Sequence, residues 1–334
     1  ISWFTDTFGI SDATVLANQT PFDFSMSVTD IYATLCRAST LHIVPKQLFS
    51  FPDRLFEFLT ERRVDTIYWV PSVLCKLANM RVFDRVSLPY LKRVLFAGEV
   101  MPARQLNYWI KNLPGALFAN LFGPTETTDI CTYYVIDREF ADDEPIPIGR
   151  ACDNCQVMVV GQDGDIVREP DREGELYVRG PFVALGYYND PQKTAQSFVR
   201  NPFCSEYPEY VYRTGDLVKY NAAGELIYVA RRDWQIKHGG YRIEPGEVES
   251  VAGSVPGVEA CGCIYDAAAD RLVLIYQGSD SVGAAVRERL KLRLPAYMLP
   301  DLVVKIDRMP CGRNGKIDRI WLKNNYKALD SSKL

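Results

Sequence analysis

The chain is short of histidine, of positive charge and of long apolar runs, and each shortage removes a class of function. Two histidines, His42 and His238, occur in 334 residues. Cys152 and Cys155 form a C-x2-C pair, but no second pair or histidine partner follows at zinc-finger spacing, so a structural zinc site has no ligand set. Lysine and arginine total 38 against 42 aspartates and glutamates, a formal net charge of -4. That balance lacks the basic surface that displaces counterions from nucleic acid, so no nucleic-acid partner is expected. No apolar run approaches the ~18 residues that cross a bilayer, so no membrane partner is expected either. The first residues, ISWFTDTFGI, lack the basic start and apolar block of a signal peptide. Nine cysteines, an odd count without framework spacing, read as free thiols in a reducing, cytoplasmic compartment.

What is present is an ordinary globular balance, 47% hydrophobic and 24% charged, in a chain long enough for two or three domains. Residues 13–121 alternate β-type runs with segments of helical period. Strands are predicted at 14–18, 40–45, 65–70, 92–98 and 116–122, and helices near 27–37, 52–63, 72–80 and 102–112. Such alternation gives a mostly parallel sheet covered by helices, with ligands bound beyond the carboxyl ends of its strands. The turns after Val70, Phe96 and Phe122 are therefore where chemistry is expected. From 131 the pattern changes to short β-runs at 156–161, 174–180 and 225–230, punctuated by Gly, Asp and Pro: a small, mainly antiparallel β subdomain. Beyond Arg232, helix and strand patterns mix in an α+β domain of about a hundred residues. The divisions expected are thus 1–130, 131–232 and 233–334. The tail KNNYKALDSSKL is polar and expected to fray.

Three turns carry chemistry-bearing side chains. In NLFGPTETT, residues 120–128, a strand ends, Gly123-Pro124 forces a turn, and hydroxyls flank one carboxylate. Such a turn can present Thr125 to a phosphate oxygen and Glu126 to a hard cation such as magnesium; it can equally be a plain turn and helix cap. In YRTGDL, residues 212–217, a carboxylate just past a glycine can accept both hydroxyls of a ribose, or the segment is simply a hairpin turn. In NGKIDR, residues 314–319, a lysine on a tight turn can neutralise charge developing on a carboxylate and a phosphate, or stay solvated.

Taken in order, NLFGPTETT, GELYVRGPFVALGYY, YRTGDLV, ARRDWQIKHGGYRIEPGEVE, LPAYMLP and NGKIDR resemble the consecutive motifs of the adenylate-forming superfamily. Within it they are most similar to the adenylation domains of nonribosomal peptide synthetases and to D-alanine–carrier-protein ligases. The resemblance implies that superfamily's fold, with a mobile C-terminal α+β domain. It implies ATP and Mg2+, a small carboxylic or amino acid, and a carrier protein bearing phosphopantetheine as partner. The implied reaction makes an acyl-adenylate and passes the acyl group to the carrier thiol. A ligase using free coenzyme A and a non-catalytic docking module are the alternatives.

By the same resemblance Phe122, where the family has tyrosine, should stack on adenine, with Asn120, Gly98 and Glu99 lining that site. Thr125 should hold phosphate and Glu126 magnesium. Asp216 and Arg231 should bind the ribose, although Ala230 replaces a glycine of the family pattern. Lys316 matches the lysine that bridges carboxylate and phosphate. Asp233 falls at the hinge and Gly240 beside the pantetheine path; His238 and Gly239 match no role. The family's Ser/Thr/Gly-rich phosphate loop has no counterpart in this sequence, so the fold is expected in N-terminally truncated form and this stretch alone is expected to adenylate poorly.

The acid pocket depends on register. Phe22-Asp-Phe-Ser25 resembles the family's Phe-Asp-x-Ser motif, whose aspartate pairs with an α-ammonium. Gap-free alignment through Ser27–Leu41 instead puts Ser25 at the aspartate position. Choosing Asp23 needs two extra residues in the following helix, which would rotate its buried face by roughly 200°. In the Ser25 register the pocket is lined by Ser25, Met26, Thr29, Tyr68, Leu95, Ala97, Leu121, Asp129 and Ile130. Asp129 is the one carboxylate among them. It is either bonded locally or answers a cationic or hydroxylated group of the substrate.

Overall fold

A computed structural model describes residues 1–232, 236–238, 241–243, 245–266, 269, 271–279, 281–312 and 315–329. After a short helix, α1 (Ser2–Thr7), the chain builds a helix-covered sheet from β1 (Val15–Asn18), α2 (Ser27–Arg37), β2 (Thr40–Ile43), α3 (Pro52–Glu61), β3 (Thr66–Trp69), α4 (Pro71–Asn79), β4 (Arg93–Ala97), α5 (Ala103–Asn112), β5 (Leu117–Phe122), β6 (Thr132–Val135) and β7 (Arg150–Ala151). The sheet order is β2-β1-β3-β4-β5-β6-β7. β1 to β5 pair in parallel, and β6 and β7 antiparallel. β3 reads TIYW and every residue is buried, as a parallel strand covered on both faces requires. α4 follows at once because Pro71 occupies its first turn, where no N–H partner is lost.

Two apolar clusters lie on opposite sides of this sheet. One gathers Leu55, Phe56, Leu74, Phe96, Leu106 and Trp109 from α3, α4, β4 and α5. The other gathers Met26, Tyr68, Leu95, Ala97 and Leu121. α2 departs from the rule for a core-facing helix, because its buried residues include Thr29 and Asp30.

Next come β8 (Gln156–Val160), β9 (Glu173–Arg179), α6 (Pro191–Ser197), β10 (Phe198–Arg200), β11 (Tyr210–Tyr220) and β12 (Leu226–Arg231). The order is β10-β11-β9-β8, with β12 pairing β11 farther along the edge that β10 occupies, all antiparallel. The expected division at 130/131 does not coincide with a change of sheet. The chain turns back on β5, and β6 and β7 extend the large sheet as far as Ala151.

The last part holds the hairpin β13 (Ile236–His238) and β14 (Tyr241–Ile243), α7 (Pro245–Gly253), β15 (Val258–Asp266), β16 (Arg271–Gly278), α8 (Val282–Arg293), β17 (Leu302–Ile306) and α9 (Arg319–Leu329). β15-β16-β17 form a separate sheet. The tail corrects the sequence reading. KNNYKAL belongs to α9, and Leu322 and Tyr326 are buried against the β15–β17 sheet. Two anchors one turn apart dock the helix, and the polar residues between them hide that spacing.

Candidate active site at the strand ends

The carboxyl ends of β3, β4 and β5 open on one side of the large sheet, and the turn after each contributes a side chain. After β3, the Ser72 backbone N–H at the start of α4 donates to Glu99 Oε2 at 2.9 Å. After β4, Gly98 takes a left-handed φ of 90°. A Cβ there would lie 3.3 Å from Cε of Lys316, so the lysine stem packs over bare backbone. After β5, the chain doubles back so closely that a Cβ on Gly123 would meet the Asp129 carbonyl at 2.3 Å. Thr128 and Asp129 follow with φ of 52° and 81°. Strain of this kind costs of order 1–3 kcal/mol per residue and is found where a side chain must be aimed.

That turn directs Asp129 down into the pocket. It is buried at 5% exposure. Thr29 Oγ1 donates to its Oδ2 at 2.7 Å and the Tyr68 hydroxyl donates to the same oxygen at 3.1 Å. Burial pushes its carboxyl up to about 6, against the opposing pull of those hydroxyls and of Lys316. Local bonding is therefore what the structure places at Asp129 Oδ2. Behind it Asp30 is also buried, accepting from Asn18 Nδ2 at 2.9 Å on one oxygen, while its Oδ1 is buried without a hydrogen-bond partner among the described residues. Burial, opposed by Asn18 and reinforced by Asp129, pushes Asp30 up to about 8. Met26, Tyr68, Leu95, Ala97 and Leu121 share one apolar cluster, with Phe24, Phe122 and Ile130 packed against it. At the rim Ser25 Oγ and Thr125 Oγ1 share a hydrogen bond of 2.9 Å. Asp23 is exposed.

Glu126 projects from the 3-10 turn Thr125–Thr127. Its Oε1 accepts from the Tyr187 hydroxyl at 2.7 Å. The segment carrying Tyr187 is tied to the same turn: the Ala184 N–H donates to the Glu126 carbonyl, and Thr128 Oγ1 donates to the Phe182 carbonyl. Phe122 faces Tyr228 of β12, ring centroids 5.8 Å apart at 43°. Asn120 donates its amide to the Pro147 carbonyl at 2.8 Å, which holds the loop before β7 against β5. Asp216 and Arg231 are directly cross-strand on β11 and β12. Arg231 Nη1 lies 3.3 Å from Asp216 Oδ1 and donates to the Thr214 carbonyl at 2.7 Å.

Lys316 joins these parts. The Ser72 hydroxyl donates to the Gly315 carbonyl at 3.0 Å, docking the lysine's turn onto the end of β3. Its ammonium lies 5.6 Å over the Phe24 ring. Burial pulls the ammonium below the usual lysine range, opposed by the charges of Glu99, Asp216 and Asp129, while Arg231 adds to the depression. Burial likewise raises Glu99, against the bonds from Ser72 and the fields of Lys316 and Arg319. One half-buried ammonium thus lies within the fields of three carboxylates and against an aromatic ring.

Gly98, Glu99, Asp129, Asp216 and Arg231 therefore gather around Lys316, while Asn120, Phe122, Thr125 and Glu126 lie on β5 and the turn after it. Asp233 and Gly240 lie outside the described residues. Ser72, Tyr187 and Asp30 were not singled out from sequence. Tyr187 falls inside the GELYVRGPFVALGYY motif, so only its role was hidden. Asp30 gave a faint signal, an acid on the buried stripe of α2.

A sequence profile of the AMP-binding enzyme family matches residues 1–188, and the chain belongs to that family. It is 34% identical over 326 residues to an L-proline–[L-prolyl-carrier protein] ligase of Streptomyces coelicolor, covering 95% of this chain and 60% of the relative. It is 30% identical over 337 residues to a D-alanine–D-alanyl carrier protein ligase of Bacillus cytotoxicus, covering 98% of this chain and 66% of that one. It thus spans slightly less than two thirds of these relatives' lengths. A four-domain nonribosomal peptide synthetase solved with AMP and glycine has the same fold, with a TM-score of 0.81 and 26% identity over 96% of this chain and 24% of that one.

Proposed function

We propose that this chain carries the nucleotide and acid sites of an ATP-dependent ligase that activates a carboxylic acid as its acyl-adenylate and transfers the acyl group to the phosphopantetheine thiol of a carrier protein. The observation that carries the reading is Lys316, packed on Gly98 within the fields of Glu99, Asp129 and Asp216. An ammonium held there is positioned to meet the incoming carboxylate and the α-phosphate together, so attack proceeds without charge build-up. The names of the two carrier-protein ligases support the same reaction class. The free thiols support a reducing, cytoplasmic setting.

The roles follow from placement. Phe122 offers a flat face for adenine beside Tyr228, with Asn120 holding the adjacent loop. Asp216 accepts from the ribose hydroxyls and Arg231 braces it. Thr125 offers a hydroxyl to phosphate. Glu126 and Thr125 are hard oxygen donors of the kind magnesium takes alongside substrate phosphates, and the ion when bound would screen the phosphate charge. No enzyme nucleophile is required. Gly240 beside the thiol path and Asp233 at the hinge complete the proposal.

For the acid we propose a substrate other than an α-amino acid clamped in the family's usual way: a β- or ω-amino acid, or a hydroxy or aryl acid. Two observations support this. Ser25 presents a hydroxyl bonded to Thr125, and Asp23 is exposed. The buried carboxylate lies across the pocket at Asp129, where a distal amine or hydroxyl would reach it. The test is an ATP–pyrophosphate exchange panel on the full-length protein. Asp129→Asn is expected to weaken exchange with an amine-bearing acid at least tenfold, the loss of a charge-assisted bond, and to spare an acid without an amine. Strong preference for an ordinary apolar L-amino acid would defeat the substrate assignment. Absence of exchange with every acid would defeat the ligase assignment.

A further inference from the structure

The strand segment that aims Asp216 is irregular, and its irregularity is held by one carboxylate. β11 pairs with β9 at Tyr212↔Val178 and Arg213↔Tyr177, then resumes at Leu217↔Glu175. Thr214, Gly215 and Asp216 therefore face a single residue of β9, Leu176. Such bulges redirect a side chain at the cost of ladder bonds, and the backbone groups they release need partners. Here side chains supply them. Thr214 Oγ1 donates to the Leu176 carbonyl at 2.8 Å and accepts the Asp216 N–H at 2.9 Å. The Gly215 N–H, on a residue with φ of 71°, donates to Glu175 Oε1 at 3.2 Å.

The other oxygen, Glu175 Oε2, accepts Arg213 Nη2 at 2.9 Å and Arg232 Nη1 at 3.0 Å. Glu175 is thus a carboxylate whose side chain is 9% exposed, with both oxygens engaged, as burial of a charge demands. It clamps the bulge from the β9 side, while Arg231 clamps it from the β12 side through the Thr214 carbonyl. Arg232, at 59% side-chain exposure, ties the residue after Arg231 to the same oxygen.

We infer that Glu175 is a positioning residue for ribose recognition: it fixes the 214–216 bulge so that Asp216 and Arg231 are presented in one geometry. This rests on the ribose role proposed above for Asp216. A carboxylate accepting both ribose hydroxyls distinguishes AMP from 2′-deoxy-AMP, and the loss of one charge-assisted bond corresponds to a preference on the order of tenfold. A merely structural brace would lower thermal stability and leave that preference intact.

The experiment is calorimetric titration of the full-length protein with AMP and with 2′-deoxy-AMP, alongside its thermal melt. For Glu175→Ala the AMP preference is expected to collapse toward unity. For Glu175→Gln, which keeps an acceptor for Gly215 but loses the charge facing both arginines, it should fall between. Should Glu175→Ala not fold, Glu175→Gln decides: a narrowed ratio supports the inference and an unchanged one overturns it. Asp216→Asn separates the two levels. If it abolishes the preference while folded Glu175 variants keep it, the positioning role fails alone. If Asp216→Asn also keeps it, the ribose assignment fails, and the inference with it.

Discussion

Asp30 sits in costly surroundings. Its carboxyl is buried at 1% exposure beside Asp129, with one neutral amide donor and one oxygen that has no hydrogen-bond partner among the described residues. Burial raises it from 3.8 to about 8. A carboxyl whose folded pKa lies above its unfolded value binds more protons when folded, so stability falls as pH rises between those values. The window here runs from about pH 4 to about pH 8. Asp30→Asn, which keeps the shape and the bond to Asn18 but not the titration, should flatten that slope and raise the melting temperature relative to the parent by more at pH 8 than at pH 5. Chemical denaturation at both pH values reads it. Equal slopes in the two proteins would show that Asp30 is solvated and unperturbed. Asp129 tells the complementary story at this scale. Sequence alone left open whether it bonds locally or awaits a substrate, because the choice turns on Thr29 and Tyr68, 100 and 61 residues away.

Among elements, the strands and helices of the large sheet were legible because each carries a clean period: 65–70 became Thr66–Trp69 and 27–37 became Ser27–Arg37. Two features were not. β6 and β7 looked like the opening of the β subdomain because antiparallel return strands have the same composition wherever they pair; partner choice is a long-range property. α9 looked like a fraying tail because a helix in water and a docked helix differ by two buried side chains. The docking has a measurable consequence. Leu322, fully buried between β15–β17 and α9, should cost about 2–5 kcal/mol on truncation to alanine. Hydrogen exchange should show lost protection in α9 and in its neighbour β15. Protection that is absent from α9 in the parent protein would restore the fraying tail.

At the scale of the whole molecule, the junction between the last α+β unit and the rest is polar. Among the described residues no buried apolar cluster contains members from both sides. Among the described residues, the contacts across it include the hydrogen bonds and ion pairs of Ser72 to Gly315, Asn79 to the Glu259 carbonyl, Arg104 to the Val258 carbonyl, and Arg289 and Arg293 to Asp143, beside the packing of Lys316 on Gly98 and Phe24. An interface of this kind separates more readily than an apolar one, as the swing about Asp233 proposed above would require. None of this junction could be read from spacing. Lys316 is far in sequence from Gly98, Asp129 and Asp216, and only the motif resemblance put it with them; the geometry then placed its stem on Gly98.

The account therefore turns on whether Lys316 serves adenylation in particular. The direct measurement compares the two half-reactions in Lys316→Ala of the full-length protein. ATP–pyrophosphate exchange should fall by about 10²–10³, the usual effect of removing one preorganised charge partner. Acyl transfer to a phosphopantetheine-bearing carrier from supplied acyl-adenylate should stay within a few-fold of the parent. Exchange that survives the substitution unchanged, or a loss shared equally by both half-reactions, would contradict it.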